Sequence, residues 1–198
     1  MLQLENTTPF VAGMALFPDE HGIDTLYVIL KASFEIGDEW VLCEKQHPLV
    51  EADEYWGQPE NSSLKQASDY HIGKPATDII MLGQAVTPGG QMQTRHDVHL
   101  RVGSISKSVA VFGDREWLNG RITDARPFNR MPLVYERAYG GTQLDEKGEP
   151  ISADQRNPIG LGYAANNCSQ LDMDGIKLPN LENPDQFCLL YTSDAADE

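Results

Sequence analysis

From Thr25 to Ile36 every even position is apolar, namely Leu26, Val28, Leu30, Ala32, Phe34 and Ile36, while the odd side passes from Tyr27 and Ile29 to Lys31, Ser33 and Glu35. A period of two belongs to an extended chain whose side chains alternate between faces. The stretch therefore reads as one long strand, buried on its even face throughout and on both faces at its start. On that reading Leu30→Asp strands a charge in the core and unfolds the domain. The turn pair Gly37-Asp38 and the run Glu39-Trp40-Val41-Leu42-Cys43-Glu44 then fold Ala32 to Cys43 into a hairpin.

A second hairpin is written around Gly103-Ser104. Val98, Leu100 and Val102 alternate with Asp97, His99 and Arg101, and a two-residue turn with Gly at its first central position pairs Val102 with Ile105 and Val98 with Val109. The same register sets Lys107 opposite Leu100, a mild conflict. Further strands are expected at Phe10 to Phe17, Asp78 to Ala85, Val109 to Phe112 and Leu133 to Ala138. Ser63 to Ser68 reads as a short helix, and no amphipathic helix longer than two turns stands out. From Gly140 to Phe187 the chain is rich in Gly, Pro, Asn and Asp with little periodicity, which suggests irregular loops or the start of a second lobe. The expected class is mainly β, a twisted sandwich or partly open barrel with long ordered loops.

Composition narrows the function. The 198 residues are 40% hydrophobic and 23% charged, in the range of an ordinary soluble globular domain. Fifteen Lys and Arg stand against thirty Asp and Glu, a net charge of −15 that repels a phosphate backbone and an anionic membrane surface alike. The longest apolar runs, such as Leu26 to Leu30, are too short to cross a bilayer, and no export signal is visible at Met1-Leu2-Gln3-Leu4-Glu5-Asn6.

Cys188 to Glu198 look like the translation of a sequencing adapter and are set aside from the domain, which is read as residues 1 to 187. Without Asp194, Asp197 and Glu198 the net charge is −12, and Cys43 and Cys168 remain. Two distant thiols with no CxxC spacing fit a reducing compartment. On this reading the natural protein continues past Phe187, and the chain is an N-terminal fragment.

The densest motif is Val111-Phe112-Gly113-Asp114-Arg115-Glu116-Trp117, followed by Pro127 to Gly141 with Tyr135-Glu136-Arg137 and Tyr139 inside it. Asp114 and Glu136 are candidates for the paired carboxylates of a sugar hydrolase. Each has an arginine beside it, however, and a charge-assisted strut is the commoner arrangement. We expect Asp114 or Glu136 to hold an arginine, Arg115, Arg137 or one more distant, and so to present Trp117 and Tyr139 to a partner. Tyr55 and Trp56, beside Asp53 and Glu54, form a second aromatic group. His96 and His99 are three apart on a strand and point to opposite faces, which does not suit one metal ion. No phosphate loop, Gly-x-Ser-x-Gly or dinucleotide motif occurs, so neither catalytic residues nor a cofactor or metal are expected.

Thr8-Pro9-Phe10, Lys31-Ala32-Ser33-Phe34, Asp53-Glu54-Tyr55-Trp56-Gly57, Lys74-Pro75-Ala76-Thr77-Asp78, Phe112-Gly113-Asp114-Arg115, Met131 to Gly141 and Arg156-Asn157-Pro158-Ile159-Gly160-Leu161-Gly162 follow in order the pattern of domain-of-unknown-function family 2169. The chain resembles that family from about Asn6 to Pro184. The resemblance implies a bacterial, cytoplasmic, non-catalytic adaptor or chaperone of type VI secretion, which binds an effector protein and helps load it onto the secretion spike protein. Nucleic acid, membrane and small-molecule substrates are not expected as partners. Such an adaptor needs aromatic and arginine anchors, and Tyr55, Trp56, Arg115, Trp117, Tyr135, Arg137 and Tyr139 are the candidates, with Asp114 and Glu136 fixing the loops. A hydrolase using Asp114 and Glu136, or a ligand-binding β module, is the alternative.

Overall fold

A computed structural model describes residues 2–70, 76–164 and 173–185. The chain is mainly β, and its strands among the described residues pair into eight small sheets, seven of two strands and one of three, with no closed barrel. They belong to two compact units. The first spans Met1–Glu60 and Leu64–Ile80, the second Asn61–Ser63 and Met81–Glu198.

In the first unit β1 (Val11–Pro18) and β2 (Asp24–Lys31) form an antiparallel ribbon, β3 (Phe34–Ile36) pairs with β4 (Trp40–Leu42), and β5 (Glu54–Tyr55) with β6 (Leu64–Gln66). The hairpin predicted around Gly37-Asp38 forms, with Phe34 opposite Leu42 and Ile36 opposite Trp40. The long strand expected from Thr25 to Ile36 is broken at Ala32-Ser33. There the Gln46 side-chain amide takes over the role of a neighbouring strand, accepting from the Ser33 N–H at 2.7 Å and donating to the carbonyls of Ser33 and Cys43. Ser63 to Ser68 is not helical, because Leu64–Gln66 pairs as a strand with Glu54–Tyr55.

The two faces of the β1–β2 ribbon are the reverse of the sequence expectation. Leu26, Val28 and Leu30 are exposed, Val28 by 56% and Leu30 by 60%, while Thr25, Tyr27, Ile29 and Lys31 are half-buried. Phe34 and Ile36 are exposed as well. Two residues account for the inversion. A Cβ on Gly13, which sits opposite Ile29, would come within 2.5 Å of Leu49 Cδ1 and the Tyr70 hydroxyl, so the odd face is the one packed against the rest of the unit. Lys31 lies on that face with its ammonium 2.7 Å from Asp69 Oδ2, and Asp69 also accepts from the Val50 N–H. The inward lysine is tolerated because its charge is paired. Leu30→Asp is accordingly expected to change stability by no more than about 1 kcal/mol in a urea titration, as for other exposed sites.

The second unit starts with β7 (Gln84–Val86), shorter than the strand expected over Asp78 to Ala85. β8 (Arg95–Val102) and β9 (Ile105–Phe112) form the long hairpin in the predicted register, Val102 opposite Ile105, Val98 opposite Val109 and Leu100 opposite Lys107. Gly103 has φ +61°, the conformation its turn position requires. Then come β10 (Trp117–Leu118), β11 (Arg121–Ile122), β12 (Arg130–Pro132), β13 (Tyr139–Gly140), β14 (Thr142–Leu144), β15 (Pro150–Ala153), β16 (Leu161–Gly162) and β17 (Leu181–Glu182). The strand expected from Leu133 to Ala138 is instead a 3-10 turn at Tyr135–Arg137 between two short strands. β17 adds to β9, with Leu181 opposite Val111. Ala85, Val111, Phe128 and Met131 form the core, with Val98, Val109, Leu133 and Leu181 against it. Cys168 and Cys188 to Glu198 lie outside the described residues, and Cys43 is a free, half-buried thiol.

Candidate functional site

The sequence motif at the end of β9 opens onto a cleft of about 370 Å³ in the second unit, lined among others by Asp114, Arg115, Glu116, Arg126, Glu136, Arg137, Lys177 and Asn180. The chain enters it through Gly113. An ideal Cβ there would lie 1.7 Å from the Arg126 carbonyl oxygen, so only glycine lets the two segments meet. The Gly113 N–H donates to the Thr94 carbonyl, and the Arg126 N–H to the Asp114 carbonyl, which fixes both sides of the entrance.

Arg115 does not reach into solvent. Its guanidinium lies 4.0 Å from the centre of the Phe112 ring, donates to the Pro179 carbonyl at 2.7 Å and forms an ion pair with the Glu182 carboxylate. The side chains are 12% and 2% exposed. Burying a carboxylate requires such a partner. Its position on β17 opposite Ala110 puts Glu182 beneath the motif.

Asn180 holds the cleft together. It is 1% exposed, accepts from the Phe112 N–H through its backbone carbonyl at 2.7 Å, and donates its own N–H to the Arg137 carbonyl at 2.8 Å. Its side-chain amide donates to the Phe112 carbonyl and to Asp114 Oδ1, both at 3.1 Å, and accepts from Arg137 Nη1 at 2.9 Å. Arg137 Nη1 also lies 3.5 Å from Asp114 Oδ1, so the expected acid and arginine strut exists between these two, in a half-exposed setting where it contributes little by itself.

Glu136 holds a serine rather than an arginine. Its two oxygens accept from the Ser63 N–H and the Ser63 hydroxyl, each at 2.7 Å. Burial pushes its pKa up, but the hydrogen bonds from Ser63 and from its own backbone outweigh that, and the net shift is below the ordinary 4.5. A folded-state pKa below the unfolded one gives stability that is present above the unfolded pKa and lost as pH falls through the folded pKa. Glu136→Gln should therefore cost about 1–2 kcal/mol near neutral pH, a charge-assisted hydrogen bond being worth that much. In urea titrations at stepped pH, the gap between wild type and variant should close as the pH drops below 4.5.

The glycines and asparagine of the downstream motifs form a separate knot. A Cβ on Gly140, at φ +145°, would lie 2.1 Å from the Asn157 carbonyl oxygen, and one on Gly160 would lie 2.4 Å from Asn157 Nδ2. The Asn157 amide donates to the carbonyls of Tyr135 and Tyr139, which ties the 3-10 turn to β13.

The structure thus brings Asp114, Arg115, Glu116, Glu136 and Arg137 together and leaves the aromatic candidates outside the cleft lining. Trp117 is half-buried with its indole N–H enclosed and unpartnered, Tyr139 is half-buried against β16, and Tyr135 is exposed. Tyr55 and Trp56 belong to the first unit, where Lys65 Nζ lies 5.6 Å over the exposed Trp56 ring. Sequence reasoning missed Ser63, Arg126, Lys177, Asn180 and Glu182.

Chemically the cleft is a mixed-charge surface in which Asp114 and Glu136 are both engaged, Asp114 with Asn180 and Arg137 and Glu136 with Ser63. Glu136 is shifted away from the raised pKa a general acid needs. No group of three or more metal-ligating side chains occurs among the described residues, and none of their helices is long and apolar enough to cross a membrane.

The sequence profile of a family described as "Uncharacterized protein conserved in bacteria (DUF2169)" matches residues 21–194, past the Cys188 at which an adapter remnant was read. No curated protein and no solved structure matches.

Proposed function

The chain belongs to the bacterial family DUF2169. We propose that it is a non-catalytic adaptor or chaperone, cytoplasmic in its bacterium, that binds a type VI secretion effector and helps load it onto the secretion spike. The observation that carries the reading is the amount of apolar side chain the first unit leaves bare. Two of its three strand pairs do so: Leu16, Leu26, Val28 and Leu30 on the β1–β2 ribbon, and Phe34, Ile36, Trp40 and Val41 on β3–β4, with Ile36 83% and Trp40 70% exposed. Contiguous apolar surface of this kind marks protein-binding faces. The cleft supports the same reading, because Asp114, Arg115, Glu136 and Arg137 are tied to neighbouring side chains and backbone, as a frame is. Asp114, Arg115, Glu136 and Arg137 act there as positioning residues, and Trp56 and Tyr135 remain as exposed aromatic anchors.

Co-expression of the protein with the product of the gene adjacent to its own tests the proposal. A stoichiometric complex that raises the partner's yield in soluble form is expected. A partner that is equally soluble and folded alone, and elutes separately, would overturn it.

A further inference from the structure

We infer that the even face of the β1–β2 ribbon is a docking site for a basic amphipathic helix of a partner protein. The inference rests on the adaptor reading and names the chemistry of what the adaptor holds. The face is built from cross-strand pairs, Ala12 with Leu30, Met14 with Val28, and Leu16 with Leu26, whose side chains share one side of the sheet. Three leucines and a valine on it are exposed, while the opposite face is filled by Leu49, Tyr70 and the Lys31–Asp69 pair. The face that looks outward is thus the more apolar of the two.

Its dimensions select the occupant. From Ala12 to Leu16 the strand rises about 14 Å at about 3.4 Å per residue. It is two strands wide, roughly the diameter of one helix, and about nine helical residues at 1.5 Å each cover its length. A stripe at i, i+3, i+4 and i+7 is the matching surface.

Charge selects the sign. By sequence the first unit carries fourteen acids and four lysines, a net charge of −10, and no arginine. Two of those lysines are occupied, Lys31 with Asp69 and Lys65 with Glu54. Asp19, Glu20 and Asp24 sit at the turn end of the ribbon, beside Leu16 and Leu26. An apolar stripe flanked by Lys and Arg satisfies both parts of this surface, and an acidic helix is repelled by it.

The test uses the full chain and three synthetic peptides of about 12 residues: one with a leucine stripe and Lys or Arg elsewhere, one with Glu in place of those cations, and one of the basic composition with the stripe scrambled. Binding is read by fluorescence anisotropy at about 0.1 M salt, where charges are screened beyond about 10 Å. The basic striped peptide should bind about tenfold or more tighter than either control, since both halves of the match are required. Val28→Glu should weaken it by about tenfold with the circular dichroism spectrum unchanged. Were attraction merely ionic, the added negative charge would strengthen binding. Val28→Gln guards against misfolding, and Ile105→Glu, at the exposed tip of the other unit's hairpin, should leave binding unaltered.

Equal binding of the acidic or scrambled peptide, or full retention in both Val28 variants, would overturn the inference. So would dimerisation in sedimentation that Val28→Glu abolishes, since a second copy would then be the occupant. Retention of the co-expressed partner by both Val28 variants would remove this face and leave the adaptor reading standing. Failure of the wild type to hold that partner, with the peptide results as expected, would remove the adaptor reading and leave the face.

Discussion

Replacing Arg115 with methionine should lower the stability of the second unit by about 3 kcal/mol, the lower end of the range for breaking a buried ion pair. The lower end applies because Arg95 also lies within electrostatic reach of Glu182. Methionine keeps an apolar stem but withdraws the guanidinium from the Phe112 ring, from Glu182 and from the Pro179 carbonyl. In a melting experiment the loss corresponds to a shift on the order of 10 °C for a domain of this size. The double variant Arg115→Met with Glu182→Leu should recover most of it, since replacing both members of a buried pair by apolar residues is often neutral or better. An exposed arginine waiting for a partner would give a small effect and no recovery.

Gly113→Ala is expected to be at least as damaging, at about 3 kcal/mol or more. The methyl group meets backbone rather than a side chain that can swing away, so Arg126 and its segment must move. That movement breaks the hydrogen bonds from Gly113 to Thr94 and from Arg126 to Asp114 which define the mouth of the cleft. Gly83→Ala in the same unit has open space around its Cβ and should stay within about 0.5 kcal/mol of wild type. Urea titration of both variants separates the two cases.

These effects also show what one sequence could and could not say. The β8–β9 hairpin was readable in full, because the turn conformation of Gly103 and the alternation on both sides agree on one register. The even and odd partition of β2 was readable too, but not which set faces inward. That depended on Gly13 making room for Leu49 and Tyr70, and on Asp69 neutralising Lys31, both contacts remote in sequence. The break at Ser33 needed Gln46, and the strand at Leu64–Gln66 needed β5. The same limit hid the frame of the cleft. Asn180 binds Phe112 and Asp114 across 68 and 66 positions, Glu182 binds Arg115 across 67, and Ser63 binds Glu136 across 73. Local patterns placed Asp114 and Glu136 in one neighbourhood and anticipated a strut, yet could not tell that an asparagine and a serine would complete it.

The most direct test of the account sets binding against chemistry in one series. Partner retention, melting temperature and turnover of a panel of glycans and peptides should be measured for the protein and for its Asp114→Asn and Glu136→Gln variants. If these acids are frame, the wild type shows no turnover above buffer, and partner retention in the variants falls only as far as their stability does. Reproducible turnover by the wild type, lost in a variant that remains folded and still holds its partner, would contradict the adaptor account and make the cleft an active site.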